Sequence, residues 1–420
     1  MNPLSITQVG VVDVAEGRIV PETTVVVRDG RIASVEPGGA PAEGGTIVDG
    51  RGKFLVPGLF DMHVHLSWTT ASALPVLVAN GVTSVRDLGS RLGEIDEWRT
   101  RIRAGLETGP RIWRAGPILN GRKFNEFQLV IGDAAETRGV VRALKEVGVD
   151  FLKTHRRTPR DSYFALIDEA AKQGLPLVGH IPVEVTPEEA SDAGQATIEH
   201  TETLFEGTFS SSLDGEAWPA AIRRFRAGAA DPLFARFAQN ETVVTPTLVP
   251  WASVLESGGE LSPAGPNSRY VAASLKASAP PRLPAAEVRE WEEIFPEFLG
   301  VVGQMNRAGV TLLAGTDIAA TRVPGFTLHR ELELLTEAGL TPAAALRAAT
   351  ITPARVLGVA DELGAVEPGK VADLVLLRDD PLEDIRNMQR IEAVVAGGRL
   401  LVRDDLDELL RDGERQAARN

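Results

Sequence analysis

Residues 58–66 read GLFDMHVHL, and this stretch decides the fold. An apolar run ends in two histidines, His63 and His65, separated by one residue. In an extended strand successive side chains alternate, so both imidazoles point the same way. A buried strand that delivers two nitrogen donors to one spot is a metal-site signal, and the barrel-like reading of the rest of the chain follows from it.

The chain has 420 residues, with 43% hydrophobic and 24% charged, the composition of an ordinary globular protein. That length exceeds one ordinary domain and suits a large barrel plus a small second domain. The net charge of −14 leaves no broad basic surface for phosphate backbones, so nucleic acid is not an expected partner. The absence of cysteine excludes disulfides and thiolate metal sites. The start, MNPLSITQVG, lacks a basic segment followed by an apolar one, and no apolar run is long enough to span a bilayer. These features give the expectation of a cytoplasmic protein with no membrane partner.

Both ends share one texture. TQVGVVDV, TTVVVRDG, RIASVEPG and GTIVDGRG near the start, and GKVADLVLLRDD and RIEAVVAGGRLLV near the end, alternate and turn at glycine. They predict a small β-sandwich domain built from residues 1–57 and 358–403. Between them, in residues 58–357, strands and helices alternate. Eight strand candidates fall at 55–66, 81–89, 110–119, 149–155, 175–182, 196–202, 241–250 and 310–317. RDSYFALIDEAAKQG has helical spacing with a closing glycine, and Thr186, Pro187 and Glu189 form a capping box, a Thr-Pro start repeated at Thr341. Eight such units predict an α/β (β/α)8 TIM barrel, with chemistry at the C-terminal strand ends. Two stretches, 204–240 and 251–300, exceed what a crossover needs and read equally well as lids or as peripheral helices. Residues 404–420 read as a charged helix or tail.

The chain holds only six histidines. His63, His65, His180 and His200 end predicted strands 1, 5 and 6; Asp317 ends strand 8 in AGTD, and Lys153 lies near the end of strand 4. A strand-end histidine taken singly reads as a hydrogen-bonded structural residue, a strand-end aspartate as a helix cap, and a near-buried lysine as ion-paired. Taken together, the six side chains converge on one rim and form a nitrogen–oxygen donor set suited to zinc or a similar divalent ion.

With HVH after strand 1, Lys153 after strand 4, His180 after strand 5, His200 in IEH and Asp317 in AGTD, the chain resembles the amidohydrolase superfamily over about residues 4–403. LKEVGVDFLKTH, GLPLVGHIP and EASDAGQATIEH are similar to its prolidase-like and imidazolonepropionase-related branch. The resemblance implies a binuclear metal centre, with His63, His65 and Asp317 on one divalent ion and His180 and His200 on the other, most simply two zinc ions. Lys153, carboxylated by CO2 to a carbamate, would bridge them; a free ammonium beside two cations would be repelled. A free amine with one metal is the other arrangement.

The implied activity is metal-dependent hydrolysis of an amide bond, in a dipeptide or an N-acyl amino acid, by a metal-activated hydroxide, with Asp317 as the catalytic proton carrier. His155, two residues past Lys153, faces the same side and is a substrate-binding candidate. So are Arg156, with Arg157 beside it, for an anionic group, and His329 in GFTLHREL. Trp68 reads as pocket lining or plain packing. With Tyr163 and Tyr270 as the sole tyrosines, no tyrosine-based oxyanion stabiliser is assigned. Alternatives are hydrolysis of cyclic amides, lactones or phosphotriesters at the same site, a base deaminase with one metal, and a non-catalytic scaffold that kept the fold. Assembly into a homo-oligomer is compatible with the resemblance.

Overall fold

The computed structural model describes residues 2–211, 216–261, 265–319 and 322–420. Its first strands are β1 (Leu4–Asp13), β2 (Arg18–Arg28), β3 (Arg31–Pro37), β4 (Thr46–Asp49) and β5 (Phe54–Pro57). β2 and β3 are joined by Asp29-Gly30, at φ 48° and 78°. Both turn residues have positive φ, the geometry that matches the right-handed twist of a hairpin. Near the other end, β15 (Leu374–Leu377), β16 (Ile391–Ala396) and β17 (Arg399–Val402) follow, with Gly397-Gly398 turning the last hairpin at φ 56° and 84°. The two groups meet in one sheet, order β17-β16-β15-β5-β1-β2-β3, with β4 beside β1. Leu4, Ile6, Val25, Val27, Leu55, Leu374, Leu376 and Val395 share its apolar core.

The central chain carries parallel strands. β6 (Leu59–Val64), β7 (Val82–Asp87) and β8 (Arg111–Arg114) form one sheet. β9 (Ile118–Asn120), β10 (Gln128–Val130), β11 (Leu152–Thr154), β12 (Leu177–Gly179), β13 (Thr197–Glu199) and β14 (Val243–Thr245) form another, order β10-β9-β11-β12-β13-β14. All six residues of β6 are buried, as expected of a parallel strand covered on both faces.

Three expected strands differ from their prediction; that over 55–66 divides at Gly58 between β5 of the first sheet and β6 of the central one. The strand expected over 110–119 splits into β8, paired with β7, and β9, paired with β11. The break is Gly116-Pro117, where Gly116 has φ 79° and proline has no N–H to give. The strand expected over 310–317 makes only isolated bridges, Leu312 to Val244 and Ile318 to Val64. The cause is Asp61, whose carboxylate takes the Thr316 N–H at 3.0 Å and its hydroxyl at 2.6 Å. Main-chain bonds nevertheless cross this segment on both sides: Leu313 N–H to the Val244 carbonyl at 2.9 Å and Met62 N–H to the Ala314 carbonyl at 3.0 Å.

The helix caps follow the sequence. Thr186 and Glu189 form the reciprocal capping box, Thr341 accepts from the Ala344 N–H, and Gly174 ends helix Arg160–Gln173 at φ 63°. The first long stretch folds into helices that include Trp218–Gly228 and Ala230–Gln239; the second includes Val249–Glu256 and Ala285–Arg307. They pack on each other through Phe205, Phe225, Phe234 and Phe298, with the Phe205 and Phe298 ring centres 5.7 Å apart. Residues 212–215 and 262–264 of these stretches lie outside the described residues. The last segment is a helix, Arg403–Arg419, with Leu406 and Ala417 buried. Gly413 on it sits so close to helix Ala73–Ala79 that a Cβ would lie 2.3 Å from Val76 Cγ2.

Candidate metal centre

Buried strand ends fix the site. His63 lies within β6, His65 just past it, Lys153 within β11, His180 directly after β12 and His200 directly after β13. Their rings form a chain: His65 to His63 at 5.3 Å, His63 to His200 at 4.7 Å, His200 to His180 at 4.5 Å, and His180 to His155 at 4.3 Å between centres. Asp317 closes it. Its Oδ1 is 3.5 Å from His63 Nε2 and 3.3 Å from His65 Nε2. Donor atoms of His63, His200 and Asp317 all lie within 4.8 Å of one another.

The imidazoles are held so that a lone pair faces inward. His63 Nδ1 donates to Glu199 Oε2 at 3.0 Å, which leaves Nε2 the acceptor nitrogen, buried and without a hydrogen-bond partner among the described residues. His65 Nδ1 lies 3.0 Å from the Gly89 carbonyl, which leaves Nε2 facing Asp317 Oδ1 at 3.3 Å. His200 Nδ1 pairs with Thr247 Oγ1 at 2.7 Å. The backbone at His200 and Asp317 is strained to φ 71° and 50°, values that a side chain tolerates only where surrounding structure imposes them. His180 Nδ1 and Lys153 Nζ are likewise buried without a partner.

Burial sets the protonation states. It pushes His63 down to about 3, with help from Lys153, and pulls His180 and His200 well below the usual imidazole value. Neutral imidazole is the ligating form. Burial also lowers Lys153 to about 8, against the pull of Glu199 and Asp317. Asp317 is raised by burial, but Arg322 and the histidines outweigh this and hold it well below the usual carboxylate range.

Sequence reasoning missed a second layer of residues. Glu199 joins His63 to Arg86, whose Nη2 is 2.6 Å from Glu199 Oε1. Arg86 is 1% exposed and also donates to the Met62 carbonyl, Thr197 and Thr245. Burial raises Glu199, but Arg86 and His63 outweigh it and keep the carboxylate ionised. Asp61 pins the Thr316 turn, and burial pushes it up to about 7. Asp87 accepts from Leu66 N–H and Ser90 Oγ, both at 2.8 Å, and so steadies the turn around His65. Asp61 and Glu199 lie in stretches already quoted, GLFDMHVHL and IEH, and Arg86 and Asp87 in the strand expected at 81–89. The alternation that paired the histidines could have flagged Asp61 as well.

The substrate candidates scatter. His155 lies against His180, with Phe124 at 6.4 Å on its other side. Arg156 is engaged: its Nη1 donates to Glu206 Oε1 at 2.9 Å. His329 is 3% exposed, its Nε2 is 3.1 Å from the Asn80 carbonyl, and none of its described contacts reaches the cluster. Trp68 stacks between His65 at 4.7 Å and Phe127 at 4.8 Å. A cavity of about 710 Å³ lies elsewhere, between the start of β8 and the β16–β17 hairpin, and shares no lining residue with the cluster.

Residues 54–401 match the model of the amidohydrolase family. An imidazolonepropionase of Symbiobacterium thermophilum is 24% identical over 433 aligned positions, which cover 92% of each chain. The solved structure of a candidate prolidase of Bifidobacterium longum is similar, at 27% identity and TM-score 0.74, covering 98% of this chain and 99% of its own. The structure of bottromycin amidohydrolase is similar at 25% identity and TM-score 0.79, covering 98% of this chain and 90% of that one.

Proposed function

The chain belongs to the amidohydrolase family, in the branch related to prolidases and imidazolonepropionases, and from that premise we propose that it hydrolyses the amide bond of dipeptides or N-acyl amino acids at a binuclear metal centre. It is a hydrolase of C–N bonds by family, and the narrower reading rests on one observation. Buried polar atoms on three separate strand ends, His63 Nε2, His180 Nδ1 and Lys153 Nζ, stand without hydrogen-bond partners among the described residues, the first of them 3.5 Å from Asp317 Oδ1. Such atoms cost free energy unless something satisfies them. The donor set of imidazole nitrogens and a carboxylate suits zinc or a similar divalent ion.

In this reading His63, His65 and Asp317 would hold one ion and His180 and His200 the other, and Lys153, whose neutral amine adds to CO2 to give a carbamate and release a proton, would supply a carboxylate to both. When bound, divalent ions supply Lewis acidity, polarising an amide carbonyl and lowering the pKa of water. Glu199 and Gly89 fix the ring orientations of His63 and His65. Asp317 takes the proton of the attacking water and delivers it to the leaving nitrogen. His155 and Trp68 border the space for the substrate. The support for residues 58–357 as an eight-stranded barrel is the pair of bridges at Leu312 and Ile318; the sheet shared by both chain ends supports residues 1–57 with 358–403 as the small domain.

The test is metal analysis of the purified protein together with a substrate panel. Two ions per chain, extra mass on Lys153 and turnover of dipeptides or N-acyl amino acids are the expected outcome. One ion with full activity overturns the bridging role of Lys153. Turnover confined to cyclic amides, lactones or phosphotriesters overturns the substrate class. A metal-free, inactive protein indicates a scaffold.

A further inference from the structure

The sequence offered Arg156 for an anionic group on the substrate; its described bond goes to Glu206, at 2.9 Å, and not to Asp317. A different arginine stands beside the reacting groups. Arg322 Nη1 donates to the Asp317 carbonyl at 2.8 Å and lies 3.5 Å from Asp317 Oδ2. The carboxylate therefore has two distinct faces. Oδ1 looks towards His63 and His65, and Oδ2 looks towards the guanidinium. His63 is fully buried, whereas the side chains of Arg322 and Asp317 are 28% and 21% exposed, so a ligand can reach both.

We propose that Arg322 selects substrates whose leaving amine carries an α-carboxylate, by binding that carboxylate beside Asp317. The inference rests on the hydrolase reading above and follows from where the leaving nitrogen must sit. A nitrogen protonated by Asp317 lies within hydrogen-bond reach of it. In a dipeptide or an N-acyl amino acid a single carbon separates that nitrogen from the carboxylate, so the carboxylate arrives next to Asp317. Unscreened, the two anions repel each other in this half-buried place. A guanidinium has five donors in a planar fork, and one bond to the Asp317 carbonyl leaves others for a carboxylate in the two-point geometry that arginine favours. Arg322 thus holds Asp317 in place and neutralises the incoming group with the same side chain.

Two measurements test this. Hydrolysis is followed for N-acetyl amino acids, each paired with its α-carboxamide, by the metal-loaded enzyme and by Arg322→Gln and Arg322→Lys. The wild type favours the free carboxylate by about 10- to 100-fold in kcat/KM. R322Q loses that preference through KM, R322K keeps part of it, and both retain the metal content and unfolding temperature of the wild type. An equal loss on both members of each pair, or a wild type without the preference, overturns the proposal. Calorimetry of the same proteins with L-phenylalanine and L-phenylalaninamide reads Arg322 without turnover. Weakened binding of the amino acid alone in R322Q supports the inference even if no panel member is hydrolysed, an outcome that counts against the hydrolase reading instead. Identical binding of both ligands by both proteins overturns it.

Discussion

At the C-terminal ends of the parallel strands, buried nitrogen atoms of His63, His180 and Lys153 stand unpaired among the described residues, His63 Nε2 3.5 Å from the Asp317 carboxylate. Elsewhere a cavity of about 710 Å³ opens beside β8 and the β16–β17 hairpin, yet the buried charge there is matched: Asp373 takes Arg111 at 3.1 Å and the Gly397 N–H at 2.6 Å. A well-formed cavity therefore carries the weaker chemical signal. Volume says where a molecule could fit, whereas unsatisfied donors and acceptors on rigid strand ends say where free energy waits for a ligand.

That contrast can be broken or sharpened experimentally. The largest expected effect is at Asp317. Asp317→Asn keeps the shape and removes the proton acceptor, and should lower kcat by about 10³-fold, read by steady-state kinetics at matched metal content. A rate within tenfold of wild type would locate the chemistry elsewhere. Next is Glu199→Gln, which strips the counter-charge from buried Arg86. Chemical denaturation should show a loss of about 3 kcal/mol, and an unchanged midpoint would mean that the second layer is not holding the rim.

A smaller effect separates the rim histidines from His329. Burial lowers His329 from 6.5 to about 4, so between those values the unfolded chain binds a proton that the folded chain refuses. Its contribution to stability is complete above pH 6.5 and is lost as pH falls through 4, at no more than about 1.4 kcal/mol per pH unit. Unfolding of metal-loaded His329→Gln across pH 4–7 should show a shallower slope than wild type, and parallel curves would refute the assignment. The smallest effect is expected at the cavity beside β8. Arg399→Ala, on an exposed arginine of that cavity, should leave kcat/KM within about threefold and stability within about 0.5 kcal/mol. A large loss of activity there would erase the distinction between the two regions.

Much of this was legible in advance because it depends on local periodicity. Alternation put His63 and His65 on one side of β6, and the caps at Thr186 and Thr341 are contiguous motifs. What failed did so where a distant group intervened. The strand expected at 310–317 lost its regular ladder to the side chain of Asp61, which lies 255 residues away in the chain. The strand expected at 110–119 broke where Pro117 cannot donate. Arg156 also acquires a partner, Glu206, 50 residues on, that a linear reading does not show.

The sequence by itself determined the inventory: six histidines, no thiol, and donors concentrated where strands end. Only the tertiary structure decided the assignments among them. Glu199 became the orienting partner of His63, Arg322 came to rest on Asp317, and His329 turned to Asn80. The reason is physical. Chain periodicity fixes the direction a side chain takes from its own backbone, but a hydrogen bond is settled by which atoms lie near 3 Å after packing, and Glu199 with His63 and His329 with Asn80 are 136 and 249 residues apart in the chain.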